Sequence, residues 1–140
     1  MRRCAECFKE IADKKAKCSH CGFDNSKIKA VLGAIKSGRL IDERYYIGSV
    51  LGQGGFGITY KGLDTDLERV LAIKEYYPKN SVQRSDDGFT VEPSDQEEFK
   101  KGLNYFTDEA KALAKFQGHP NIVSVQNYFR SNNTAYMVME

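Results

Sequence analysis

The sequence predicts an α+β unit preceded by a small cysteine-bracketed module, and three observations carry that reading. The first is a glycine-rich run, Leu51-Gly52-Gln53-Gly54-Gly55-Phe56-Gly57, followed by Ile58-Thr59-Tyr60 and then by Val70-Leu71-Ala72-Ile73-Lys74. The second is the row Phe99, Leu103, Phe106, Ala110, Leu113, whose steps of four and three trace one face of an amphipathic helix. The third is that all four cysteines fall within the first 21 residues. At 140 residues, one domain plus a small module is the natural count.

Residues 1–23 form the module. Cys4 and Cys7, then Cys18 and Cys21, make two C-x-x-C pairs separated by ten residues. Thiolates in such pairs fit tetrahedral zinc, and a segment this short cannot bury a useful core, so metal would supply most of its folding energy. Structural zinc is therefore preferred to disulfides or redox dithiols. His20 lies inside the second pair, but four cysteines already complete the ligand set, and it reads as an exposed knuckle residue. Arg2 and Arg3 are not followed by an apolar run, so no signal peptide is read, and reduced cysteines fit a cytoplasmic setting.

Residues 24–43 read as a linker, with one weakly amphipathic stretch at Ile28, Val31, Leu32 and Ile35 closed by Ser37-Gly38; it is either a short docking helix or a plain connection. Charge divides at this point. Residues 1–43 hold ten Lys/Arg and six Asp/Glu, a balance of +4, while 44–140 hold eleven and thirteen, a balance of −2. A basic ribbon can meet nucleic acid or an acidic partner, yet dispersed charge of this kind is ordinary solvation, and nucleic acid is not the expected partner. No apolar run approaches the roughly 20 residues a membrane span needs.

Within 44–140, the glycines at 52, 54 and 57 permit close backbone approach to an anion, with Lys74 as a point charge. β-branched and aromatic residues after Gly57 place the loop between two strands, whereas a dinucleotide fingerprint opens a helix, and a Walker loop would require G-K-[ST]. In the helix, Ser94 and Glu97 form a candidate capping box. Glu109 falls on or beside the apolar stripe, so a buried carboxylate there and Lys74 on an apolar strand would each need the other. Glu98 and Asp108 are less well placed for that pairing. Ser81 to Val91 reads as a hairpin turning at Asp87-Gly88, and His119, before Pro120, reads as a turn residue.

These runs, with Arg44-Tyr45-Tyr46-Ile47, Glu75-Tyr76-Tyr77-Pro78, His119-Pro120-Asn121-Ile122-Val123 and Tyr136-Met137-Val138-Met139-Glu140, resemble the small lobe of bacterial serine/threonine protein kinases of eukaryotic type. The resemblance covers 44–140 and implies an antiparallel five-stranded sheet with one long helix and an inserted hairpin. It implies that Gly52, Gln53, Gly54, Gly55, Phe56 and Gly57 cover the phosphates of ATP, and that Lys74, paired with Glu109, holds the α and β phosphates. Leu51, Thr59 and Ala72 would line the adenine, Met139 would be the gatekeeper, Glu140 would begin the hinge, and Leu113 and Val125 would belong to the regulatory spine. Thr59 departs from the family's usual valine, adding a hydroxyl above the base.

The family's H-R-D-x-x-x-x-N and D-F-G runs, which supply the proton acceptor and the magnesium ligands, do not occur in these 140 residues. The sequence is therefore read as a fragment, inactive alone, of an ATP- and Mg-dependent kinase acting on protein Ser/Thr hydroxyls, its ribbon recruiting or sensing a protein partner. The alternative is a pseudokinase or zinc adaptor that only binds.

Overall fold

The computed structural model describes residues 2–116 and 119–140. Strands β1 (Arg2–Arg3) and β2 (Glu10–Ile11) pair antiparallel at the start of the chain. A single 3-10 turn follows at Asn25–Lys27, capped by Asp24, whose side chain accepts from the Ser26 N–H. The main sheet contains β3 (Leu40–Ile41), β4 (Tyr45–Gln53), β5 (Gly57–Asp64) and β6 (Arg69–Tyr76). The hairpin β7 (Val82–Arg84) and β8 (Val91–Pro93) stands apart from it, and α1 (Gln96–Ala114) precedes β9 (Val125–Ser131) and β10 (Thr134–Met139).

The sheet order is β3-β4-β5-β6-β10-β9, antiparallel throughout. Six strands thus stand where five were expected. The extra one is the two-residue β3, which the presumed linker contributes to the edge beside Tyr45 and Tyr46. Register breaks between Ile47, Val50 and Gly52 bend β4 toward the glycine-rich loop. Asn132 and Asn133, at φ 54° and 61°, make the two-residue turn from β9 to β10, a position where asparagine tolerates the left-handed region.

The two faces of the sheet follow from the period of two. Thr59, Lys74 and Met137 share one rung, and Lys61, Ala72 and Met139 the next, on what is here termed the front. Ile58, Glu75 and Tyr136, then Tyr60, Ile73 and Val138, form the corresponding rungs on the back. The helix α1 meets the front through Tyr76, whose ring lies 5.2 Å from Phe99 and 5.7 Å from Phe106. Phe99, Leu103, Phe106 and Ala110 are buried as the periodicity predicts, and Leu113 packs at the margin of the core. Gly102 is required there, because a Cβ would collide with the Tyr76 hydroxyl.

The capping box does not form. Asp95, one residue later, is the N-cap: its carboxylate accepts from the N–H groups of Glu97 and Glu98, while the Ser94 hydroxyl donates to the Ser81 carbonyl. A carboxylate completes the same geometry and also faces the positive end of the helix dipole, so it outcompetes serine.

Residues 28–38 are not a free linker either, and they are not helical. They cross the back of the sheet as an irregular strap, with turns at Leu32-Gly33 and Ser37-Gly38, and bury Ile35 in the main core. The expected hairpin turn is present: Asp87 accepts from the N–H groups of Phe89 and Thr90, and Gly88 takes φ 81°.

Candidate functional site

The glycine-rich loop joins β4 to β5 and is closed by a hydrogen bond from the Gly54 N–H to the Gly57 carbonyl, 2.9 Å. Its tip is tied down by the Tyr77 N–H donating to the Phe56 carbonyl, 2.9 Å. None of Gly52, Gly54 and Gly55 takes a left-handed φ, and a Cβ on any of them would meet nothing within 4 Å. Nothing inside the chain requires glycine at these three positions, which is the pattern of a backbone kept bare for an outside ligand. Gly57 differs: its Cβ would lie 3.0 Å from the Glu75 carbonyl and 3.3 Å from Lys74 Cε. The lysine stem therefore runs directly under the end of the loop.

Lys74 opens into a cavity of about 500 Å³ between the loop and α1, lined also by Phe56, Tyr76, Glu98, Lys101, Gly102, Tyr105, Phe106 and Glu109. The structure thus brings Lys74 and Glu109 to one cleft but does not join them: among the described residues no ion pair within 4.0 Å links the two. The physical reason is exposure. Glu109 is exposed on α1 and Lys74 half-buried, so neither has the desolvation penalty that was expected to force a pair. Glu98 reaches the same cavity, whereas Asp108 does not line it.

Toward β10, Thr59 and Ala72 are half-buried, Leu51 is exposed, and Met139 sits on the Ala72 rung. Glu140 accepts from Arg69, 3.0 Å, and from Gln126, 2.9 Å. Val125 is buried. His119 is a turn residue, its Nδ1 accepting from the Asn121 N–H.

One group of residues escaped the sequence reading. Glu75, fully buried, accepts from Arg84 through both oxygens (2.6 and 2.9 Å), from Tyr60 (2.9 Å) and from Tyr136 (2.7 Å). Arg84 also donates to the carbonyls of Gly33 and Phe89, and Tyr60 accepts from the Ile35 N–H. One carboxylate thereby ties the strap, the hairpin, β5 and β10 together, directly behind Lys74. Burial works against the Arg84 cation, but the paired Glu75 more than compensates and holds it charged. Burial and the same carboxylate push the hydroxyls of Tyr60 and Tyr136 well above the usual tyrosine range, keeping them donors. A signal did exist: Glu75 continues the alternate row Leu71, Ile73, which faces the core.

At the other end, the sulfur atoms of Cys4, Cys7, Cys18 and Cys21 all lie within 4.8 Å of one another. Cys4 to Cys21 and Cys7 to Cys18 are each 3.7 Å, and all four are free thiols. Bonds of about 2.3 Å at the tetrahedral angle separate sulfurs by roughly 3.8 Å, so the cluster has the dimensions of a tetrathiolate metal cage. Amide donors point at it: Glu6 N–H and the Asn25 side chain to Cys4, and His20 N–H to Cys18. Burial opposes the Cys4 anion, yet these and the Cys7 N–H bring its pKa down to about 6. Burial pushes Cys7 up to about 12. The Cys21 N–H lowers Cys18, while at Cys21 the Phe23 N–H pulls downward but burial and the sulfur neighbours Cys4 and Cys18 together raise it. Four thiolates this close cannot all ionise without a cation among them. The donor set fits a soft or borderline dication. His20 is exposed, and its side chain takes no part in the cluster.

Residues 45–140 match the protein kinase domain family. Among similar proteins, mitogen-activated protein kinase 15 of Rattus norvegicus is 30% identical over 104 residues, 73% of this chain and 16% of its own length. Serine/threonine-protein kinase B of Synechocystis sp. is 26% identical over 102 residues, 71% of this chain and 16% of its own length. A solved structure described as PpkA-294 apo form superposes with a TM-score of 0.72 at 37% identity, covering 77% of this chain and 38% of that one. The chain spans well under half the length of each.

Proposed function

Because the chain belongs to the protein kinase family, we propose that residues 44–140 are the ATP-binding lobe of a serine/threonine kinase that transfers the γ-phosphoryl group to protein hydroxyls. The observation that carries this reading is the loop whose glycines at 52, 54 and 55 answer to no contact within the chain, set over the stem of Lys74. In this reading the amides of Gly52 to Gly57 face the phosphates, and Lys74 supplies the positive charge beside them. Thr59, Ala72 and Leu51 bound the adenine, with Met139 and Glu140 at its polar edge. ATP with Mg supplies the transferable phosphoryl group and its charge neutralisation.

Glu109 and Lys74 border the same cavity, and a shift of α1 toward β6 would bring them into a pair. The pairing belongs to the catalytic state, since lysine–glutamate contact and helix position are the usual point of control in this family. The four cysteines hold a structural zinc, and the ribbon offers a surface to a protein partner. No described helix is long and apolar enough to cross a membrane, and a cytoplasmic setting accords with free thiols.

The open Lys74–Glu109 geometry also accommodates a second reading, a non-catalytic binding module. The two readings separate in a phosphoryl-transfer assay on the lobe joined to its catalytic half. A kinase predicts that Lys74→Met lowers turnover by orders of magnitude with the fold intact, and that Glu109→Gln does less. Transfer unaffected by Lys74→Met removes the assignment of the lysine, and absence of any transfer by the unaltered protein leaves the binding module. The 140 residues alone, without H-R-D or D-F-G, are expected to bind nucleotide and not to transfer it.

A further inference from the structure

We propose that metal occupancy of the four-cysteine cluster is coupled to the nucleotide cleft, the ribbon acting as a metal-dependent clamp on the β4–β5 hairpin that carries the glycine-rich loop. The proposal rests on the reading of the cluster as a zinc site. Ala5 and Glu6 are the residues between Cys4 and Cys7, so they stand on the knuckle whose shape the metal dictates. That knuckle does not hang free at the end of a tether. It is seated on the front of the sheet.

Three contacts seat it. A Cβ at Gly48 would lie 2.6 Å from the Ala5 carbonyl and 2.7 Å from Phe8 Cζ, so the knuckle touches bare backbone of β4. Phe8, 2% exposed, packs edge-to-face on Tyr46 at 6.0 Å, and the Tyr46 hydroxyl donates to the Arg3 carbonyl while accepting from the Arg3 N–H. The Glu6 carboxylate meets Lys61 at 2.9 Å. Lys61 shares its rung with Ala72 and stands two residues from Thr59 on the same face. The clamp therefore grips the strands of the candidate adenine pocket at the next position on the same face.

The grip depends on the cluster. Phe8 has φ 63°, a conformation costly to a bulky residue, and it persists only where the surroundings enforce it. The surroundings are small: the buried apolar core of the ribbon is Cys4, Ile11 and Cys18, with Cys7 and Phe23 against it. Three of those five are metal ligands in this reading, so removal of the metal dissolves the core that holds Phe8 and the knuckle in place. Loss of the metal then frees β4 and β5 from one side, and the loop between them gains mobility. By the reciprocity of linked equilibria, ligand bound under the loop tightens the ribbon.

Hydrogen exchange of the 140-residue chain, metal-loaded and after stripping with a chelator under reducing conditions, tests this alongside metal analysis. Stripping is expected to accelerate exchange in residues 45–64 roughly tenfold as well as within the ribbon. The variant Phe8→Ala with Lys61→Ala, its cysteines intact, is expected to retain about one metal per chain while 45–64 already exchange fast and respond little to the chelator. Acceleration confined to 2–27, or unchanged protection of 45–64 in the metal-loaded double variant, overturns the clamp and leaves the zinc reading standing. Should stripping unfold the entire chain, the metal-loaded double variant decides alone. A chain that takes up no zinc overturns the zinc reading itself, and the clamp with it.

Discussion

Glu75 and Arg84 set the energetics at the scale of single residues. A carboxylate with no exposed surface is tolerable only because a guanidinium and two phenols donate to it at once. Removing one partner strands the other, so Arg84→Met is expected to destabilise the lobe by about 3–5 kcal/mol, read as a lowered denaturation midpoint with unchanged slope. Glu75→Gln is expected to do likewise, since an amide cannot satisfy Arg84. Asp64 is the second such group. The Arg44 guanidinium, at 2.9 and 2.7 Å, outweighs burial, and with the N–H groups of Asp66 and Leu67 it holds this carboxyl below the usual carboxylate range. Its folded value lies under its unfolded one, so its contribution is complete above pH about 4 and is lost as pH falls through the folded value. Asp64→Asn should accordingly flatten the acid limb of a stability-against-pH curve, and an unchanged limb would assign acid unfolding to other groups.

At the scale of elements, the helix α1 was legible and its first turn was not. Its apolar row is spaced as a helix demands, but both Ser94 and Asp95 are good N-caps, and the choice between them depends on where the incoming chain lies. The Ser94 hydroxyl is engaged with the Ser81 carbonyl of the hairpin, a long-range contact no local pattern reveals. Asp95→Ala should cost about 1 kcal/mol of stability, the usual worth of an N-cap, and Ser94→Ala less. The hairpin was legible because Asp87-Gly88 encodes its own turn. The strap at 28–38 was not, because it has no period: Ile35 is buried and its N–H is held by Tyr60, while Leu32 is 94% exposed. Such a segment is ordered by the surface it crosses.

For the whole molecule, the sequence divides at residues 23 and 43 while the contacts do not. The ribbon, the strap and the sheet are joined through Glu6 to Lys61, Arg3 to Tyr46, and Ile35 to Tyr60. Pairings between residues so far apart in sequence leave no trace in composition or spacing, which is why three separate parts were expected. Of the residues read from the glycine run and the lysine strand, Phe56 and Lys74 border one cavity, and Thr59 shares the Lys74 rung because adjacent strands fix their register. The Lys74–Glu109 contact does not follow from the same logic. It depends on the position of a helix, and α1 leaves Glu109 in solvent. Zinc analysis of the purified chain should give about one metal per molecule, released by acid or chelator; disulfides in its place would move the ribbon to another chemistry.

Titration of the isotope-labelled chain with ATP and Mg, followed residue by residue in amide NMR spectra, tests the nucleotide lobe most directly, because it registers binding as weak as roughly 1 mM. Shifts are expected to concentrate at Gly52 to Gly57, Thr59, Ala72, Lys74 and Met139, and to disappear in Lys74→Met with the rest of the spectrum preserved. Shifts that fall elsewhere, or that survive Lys74→Met unchanged, would contradict the nucleotide-lobe reading.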